Sequence, residues 1–148
     1  MLMLKKLLWI PLFFTLTACE EEVVHSPERP SPSAFTPDEQ DIVDQYEEIT
    51  NLARFEEFME HVHNAEEDAI RIVVYTTEGA PILKDVRYDG SNIEYIVDTT
   101  RDGYGIPEII TANCKSIEKN ETKDRTDYRL VGCDKEIDTL LLVTDMHY

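Results

Sequence analysis

Three cysteines and a set of carboxylates are the residues of this 148-residue chain whose types and spacing bear on chemistry. Cys19 stands directly behind Leu16-Thr17-Ala18, at the end of an apolar run from Leu7 to Leu16 that follows Lys5-Lys6. A basic start, a short apolar stretch and a small residue before the cut make a secretory signal. The run is about half as long as the roughly twenty residues a bilayer-spanning helix needs, so it reads as a cleaved leader rather than an anchor. A cysteine immediately behind the cut offers a thiol to receive a diacylglycerol and, once freed, an amine to receive a further acyl chain.

Residues 16–19 resemble the lipobox of bacterial lipoproteins. The resemblance implies a mature chain on the extracytoplasmic side of a cell membrane, held by covalent lipid on Cys19, because two or three acyl chains anchor far more firmly than one. The domain plan follows. Residues 1–18 are a lipoprotein signal peptide, 19–37 the lipidated cysteine and a tether carrying Pro27, Pro30, Pro32 and Pro37, and 38–148 a single domain. Closely spaced prolines keep such a tether extended at about 3 Å per residue. The chain carries a net charge of −17, and removing residues 1–18 takes away two lysines and no acid, which leaves −19. That charge repels phosphate backbones, so no nucleic acid partner is expected, and a basic envelope protein or Ca²⁺ is the charge-matched choice.

Cys114 and Cys133 remain once Cys19 is committed to lipid, an even number in an oxidising compartment, and they read as one disulfide. The polar stretch from Lys119 to Thr126 looks like a hairpin loop. Folding the chain symmetrically about Lys123 and Asp124 brings Cys114 opposite Cys133 and Ile117 opposite Leu130. A redox role lacks the Cys-x-x-Cys spacing and a basic activator.

The elements that must position these residues follow from periodicity. Leu52, Phe55, Phe58, Met59 and Val62 recur at helical spacing behind Asn51, which predicts an N-capped amphipathic helix over residues 52–63. Residues 38–50 fit either a preceding helix or a short strand at Asp41-Ile42-Val43. After Asp68 the period becomes two: Ile70, Ile72 and Val74, then Ile82, Val86 and Tyr88, then Ile93, Tyr95 and Val97. A two-residue loop at Asp89-Gly90 would set Val86 against Ile93, and a three-residue loop at Glu78-Gly79-Ala80 would set Ile72 against Val86. With the cysteine hairpin and a last strand at Leu140-Leu141-Leu142-Val143, the expected fold is α+β. It is an antiparallel sheet of five or six strands with one amphipathic helix packed on one face.

That register has a consequence on the face away from the core, where Asp85 falls opposite Glu94. Like charges facing each other are unfavourable, so Arg71 or Arg87 would have to neutralise them, or a Ca²⁺ or a partner's basic side chain would. Neutralising both acids should then stabilise the free domain. The segment Arg101-Asp102-Gly103-Tyr104-Gly105 is the best candidate for an exposed functional loop, although Tyr104 could equally pack on the core. Asp85, Glu94, Asp98, Arg101, Asp102 and Tyr104 together are the candidate binding surface. His61 and His63 point apart on the helix and cannot share an ion. No nucleophile with a base, Gly-rich phosphate loop or Cys/His metal spacing appears, so no cofactor, metal site or catalytic residue is assigned. The expected function is a non-catalytic acidic binding or accessory module. The alternatives are an Asp/Glu hydrolase of unrecognised type, or an inhibitor of a cationic envelope enzyme such as a lysozyme or protease.

The run from Asp68 to Ile82 is similar to the signature of small Gram-positive lipoproteins grouped as domain-of-unknown-function family 4362. Asn51-Leu52 with Phe55 and Phe58, Tyr88-Asp89-Gly90, the segment from Asp98 to Gly105, and the pair Cys114 and Cys133 match further pieces, so the resemblance covers about residues 41–134. Glu47 departs from it, standing where the family has glycine. The resemblance implies an envelope lipoprotein and brings no activity with it.

Overall fold

The computed structural model describes residues 35–45 and 48–145. The leader, Cys19 and the tether up to residue 34 lie outside the described residues, as does Glu47.

Two short strands open the domain, β1 (Ile42–Gln45) and β2 (Glu48–Thr50), so the strand alternative holds over residues 42–45 and 48–50. They are followed by α1 (Leu52–His63), whose ends match the expected helix. Asn51 does not cap it in the expected way. Its backbone is left-handed at φ 59°, it makes no side-chain cap bond, and its Nδ2 instead donates backward to the carbonyls of Glu39 and Asp41. The short amide side chain tolerates this conformation, which lets the chain turn abruptly from β2 into the helix. At the far end, Asp68 receives both Arg54 Nη atoms at 2.9 and 2.5 Å and lies 2.8 Å from His61 Nδ1, which ties α1 to the start of the next strand.

The remaining strands are β3 (Asp68–Tyr75), β4 (Pro81–Tyr88), β5 (Ile93–Asp98), β6 (Ile109–Cys114), β7 (Ser116–Glu121), β8 (Arg125–Val131) and β9 (Leu140–Asp145). They form two sheets rather than one. A six-stranded sheet runs in the order β2-β1-β3-β4-β5-β6, with β1 parallel to β3, and a second sheet runs β7-β8-β9. The single antiparallel sheet expected from the sequence is therefore corrected to a mixed sheet with a three-stranded partner. The reason is local to Lys115, the one residue between β6 and β7. Its N–H bonds to Val131 O, while the free edge of β6 is taken by Asp134, which accepts from Asn113 N at 2.8 Å, and by Lys135, whose Nζ donates to Thr111 O. The hairpin cannot join that edge and folds over as a separate layer. The disulfide Cys114–Cys133 pins the two layers together, and Ile117 pairs with Leu130 in the register centred on Lys123 and Asp124.

Both hairpins of the meander slip by two residues from the expected register. Asp89 accepts hydrogen bonds from Ser91 N and Asn92 N, which opens a four-residue loop and pairs Tyr88 with Ile93 and Val86 with Tyr95. The three-residue loop is Thr77-Glu78-Gly79, closed by Thr76 N to Ala80 O at 2.9 Å with Gly79 at φ 83°, so Ile70 faces Val86 and Ile72 faces Lys84. Because strand side chains alternate, a slip of two keeps every residue on its face.

Ile70, Ile72, Val86, Tyr88, Ile93, Tyr95 and Val97 line the inner face of the large sheet, as the periodicity requires. Phe55 and Phe58 of α1 cover part of it, and Leu130, Leu141 and Leu142 of the small sheet cover more. A register shift at Tyr128/Arg129 in the β8–β9 pairing leaves Leu141 as the extra residue, which lets adjacent Leu141 and Leu142 both turn inward.

Candidate functional site

The outer face of the large sheet carries three of the predicted surface residues. Arg71 and Asp85 are direct cross-strand partners and meet through two bonds, Nε to Oδ1 at 2.6 Å and Nη2 to Oδ2 at 3.0 Å. Glu94 lies opposite Arg87, not Asp85, and pairs with it at 3.1 Å. The expected like-charge opposition is thus replaced by two arginine–carboxylate pairs, as a two-residue slip dictates. Asp98 binds Arg101 Nη1 at 2.5 Å and takes two bonds from Thr100. Partial burial raises its carboxyl, but those hydrogen bonds outweigh it and hold Asp98 below the usual range. The charge of Asp98 also reaches Arg71, which links it to Asp85. Asp102 turns back on its own loop, accepting from Tyr104 N at 2.9 Å, and Tyr104 is 62% exposed rather than packed on the core. The structure therefore brings Asp85, Glu94 and Asp98 onto one face, with Arg101, Asp102 and Tyr104 in the loop behind β5 and Arg101 reaching back to Asp98.

The inner face holds a different arrangement. Register puts Ile72, Lys84, Val97 and Ile110 in one cross-strand row, with Val74 and Ile82 in the next. Here the cover of α1 and the small sheet ends, and a cavity of about 800 Å³ opens between the sheet and residues 136–140 ahead of β9. Its lining sorts by depth. Lys84, Tyr95 and Val97 are buried at the floor; Val74, Ile82, Ile110, Ile137 and Leu140 are half-buried walls; and Glu108, Glu136 and Asp138 are exposed at the rim.

Two floor residues are chemically unusual. Lys84 is 7% exposed and its Nζ donates to Leu140 O at 2.7 Å, with no salt bridge among the described residues. Burial pushes its ammonium below the ordinary lysine range, opposed by the charges of Asp138 and Asp44. Asp44, on the same face beyond Val74, is raised by burial, so neither group is fully compensated by the other. Tyr95 is fully buried and its hydroxyl, sealed from solvent, has no hydrogen-bond partner among the described residues; burial, with the nearby charge of Asp138, pushes its phenol up. Buried polar groups are normally paired, and titratable groups displaced from their ordinary range inside a concave site are the usual marks of a functional centre. Sequence reading passed over both. The signal was present as one lysine breaking the alternation Ile82-Lys84-Val86-Tyr88.

Among the described residues no group of three or more His, Cys, Asp or Glu side chains is arranged to hold a metal ion. No helix among them is long and apolar enough to cross a membrane. The family model described as domain of unknown function (DUF4362) matches residues 39–129, from just ahead of β1 to the middle of β8. The chain belongs to this family. No curated protein and no solved structure matches it. The matched span of the DUF4362 domain contains both floor residues, Lys84 and Tyr95, together with Cys114, while Cys133, Glu136 and Asp138 lie beyond it.

Proposed function

We propose that this DUF4362 protein is a lipid-anchored, non-catalytic binding module of the cell envelope, whose ligand enters the inner-face cavity. One observation supports the cavity above the charged outer face: Lys84 lies buried at its floor with no counter-ion among the described residues, whereas Asp85, Glu94 and Asp98 are each matched by an arginine. Fluorescent anilinonaphthalene sulfonate, an amphipathic probe of apolar sites, should titrate the folded full-length chain saturably at one site. Val97→Trp, which fills the floor, should remove that signal, and absence of saturable binding to the folded chain would overturn the cavity reading.

The anchoring half rests on Leu16-Thr17-Ala18-Cys19. Cells fed labelled palmitate should yield acylated wild-type protein and unlabelled Cys19→Ala; unlabelled wild-type protein in the medium would refute it.

A second reading, docking of a basic envelope protein such as a lysozyme or protease, is favoured by Tyr104, Ile106 and Ile109, which are 62, 77 and 63% exposed on an acidic chain. Hen lysozyme as a basic probe should then be retained by the immobilised chain in a salt-sensitive way, and equal retention by Ile106→Ser/Ile109→Ser would refute it.

A further inference from the structure

We infer that the cavity takes a small zwitterion with an apolar body, a short apolar peptide bound carboxylate inward, an assignment that rests on the cavity reading above. The argument is by charge and depth. At the floor, Lys84 commits one of its N–H groups to Leu140 O and keeps others to give, so the floor offers an ammonium donor in search of an acceptor. At the rim stand Glu108, Glu136 and Asp138, all exposed. Between them the walls are Val74, Ile82, Ile110 and Ile137.

Each simpler ligand class fails one of these layers. A simple anion suits the floor but leaves three rim carboxylates without a counter-charge, a simple cation suits the rim but leaves the Lys84 ammonium unmatched below, and a neutral hydrocarbon leaves both unmatched. A zwitterion satisfies all three layers at once. Its carboxylate accepts from Lys84 Nζ, its apolar side chains lie on the walls, and its ammonium stays among the rim acids. The volume of about 800 Å³ falls within the range of about 300 to 1,000 Å³ typical of small-molecule sites and leaves room for more than one residue.

Calorimetric titration of the full-length chain with leucyl-leucine, leucyl-leucine amide, N-acetyl-leucyl-leucine and hexanoate tests the assignment. Leucyl-leucine should bind at one site. The amide, which lacks the carboxylate, should bind at least tenfold more weakly, and the N-acetyl peptide, which lacks the ammonium, at least threefold more weakly, the smaller loss reflecting the exposed rim. Lys84→Met should weaken leucyl-leucine at least tenfold and should not weaken leucyl-leucine amide, which has no carboxylate for the lysine to hold. The amide decides the matter should Lys84→Met fail to fold. Hexanoate binding as tightly as leucyl-leucine, or the amide binding as tightly as the acid, would overturn the zwitterion and leave the binding module standing. No heat with any of the peptides beside a saturable sulfonate titration would likewise overturn the peptide alone, and loss of both signals would overturn the module as well.

Discussion

The two faces of the six-stranded sheet carry charge in opposite ways. On the outer face, Arg71 with Asp85 and Arg87 with Glu94 pair across adjacent strands while staying 40% or more exposed. On the inner face one lysine sits 7% exposed with a carbonyl for company, beside a buried phenol with none. Exposed pairs contribute little and are screened by salt, so they are compatible with many surfaces and argue for none. A buried, under-bonded polar group costs stability, and a fold that keeps one at the floor of a cavity has a use for it or a ligand to complete it. The bland face and the costly face are thus told apart by what each would gain on mutation.

The largest effect should come from the link that holds the inner face closed. Replacing Cys114 and Cys133 by Ala opens the bridge between β6 and the small sheet, and a loop of this length predicts a loss of about 3 kcal/mol. Denaturant unfolding of the double variant checks it. A loss below about 1 kcal/mol would mean that the cover holds without its pin, and that the cavity wall at residues 136–140 is set by other contacts.

Next in size, and opposite in sign, is Lys84→Met. Exchanging a buried, poorly compensated charge for an apolar side chain of similar volume should raise stability at pH 7 by about 1 to 2 kcal/mol, even though Leu140 O loses its donor. The pH dependence follows from the sign of the shift. Burial lowers the lysine below its ordinary 10.5, so across the interval from the folded value up to 10.5 the unfolded chain binds more protons and wild-type stability rises with pH. Lys84→Met should lack that rise. A variant that melts lower than wild type would make Lys84 a structural strut and erase the contrast between the faces.

The contrast also explains what the sequence could and could not disclose. Alternation of Ile70, Ile72, Val86, Tyr95 and their neighbours assigned each strand residue to the correct face, because face depends on odd or even position and survives a slip of two. It could not assign the partner opposite, since Asp89 competes for its own loop amides and shifts the hairpin by two residues. That shift set Glu94 opposite Arg87, and the slip of the β3–β4 hairpin set Asp85 opposite Arg71, so the two acids no longer face each other. The helix and the disulfide register were legible because both rest on local spacing. The division into two sheets was not, because it depends on Asp134 and Lys135 occupying the edge of β6, a contact about twenty residues distant in the chain. The cavity needs three such facts together: the correct register for Lys84, the second sheet, and the place where its cover ends.

Smaller again is the tie between α1 and β3, at the end of the inner face that the helix covers. Asp68→Asn should cost about 1 kcal/mol, since its carboxylate takes two bonds from Arg54 at 14% side-chain exposure. Partial burial raises the Asp68 carboxyl, but the bonds from Arg54 and His61 bring it below 3.8, so its contribution is present above that pH and fades as pH falls through the folded value. His61 is raised above 6.5, chiefly by its hydrogen bond to Asp68, so its share is complete below 6.5 and fades as pH rises through the folded value. Thermal melts should therefore show the wild-type advantage over Asp68→Asn greatest between about pH 4 and 6.5. An advantage flat from pH 4 to 8 would remove His61 from the tie.

The smallest effect, and the sharpest comparison with Lys84, belongs to the outer face. Were Asp85 and Glu94 to repel each other, replacing them with Asn and Gln would stabilise the domain; with each acid on its own arginine, the same double variant should be slightly less stable. The loss should stay under about 1 kcal/mol in total, because all four side chains are at least 40% exposed and solvent screens them. It should shrink further in about 1 M salt, where the Debye length falls to about 3 Å. Leucyl-leucine affinity should not move, since neither acid lines the cavity. A gain in stability would show that net repulsion on this acidic chain outweighs local pairing. A loss of peptide binding would show that the two faces are coupled through β4 and β5, and that the outer charges had been wrongly set aside.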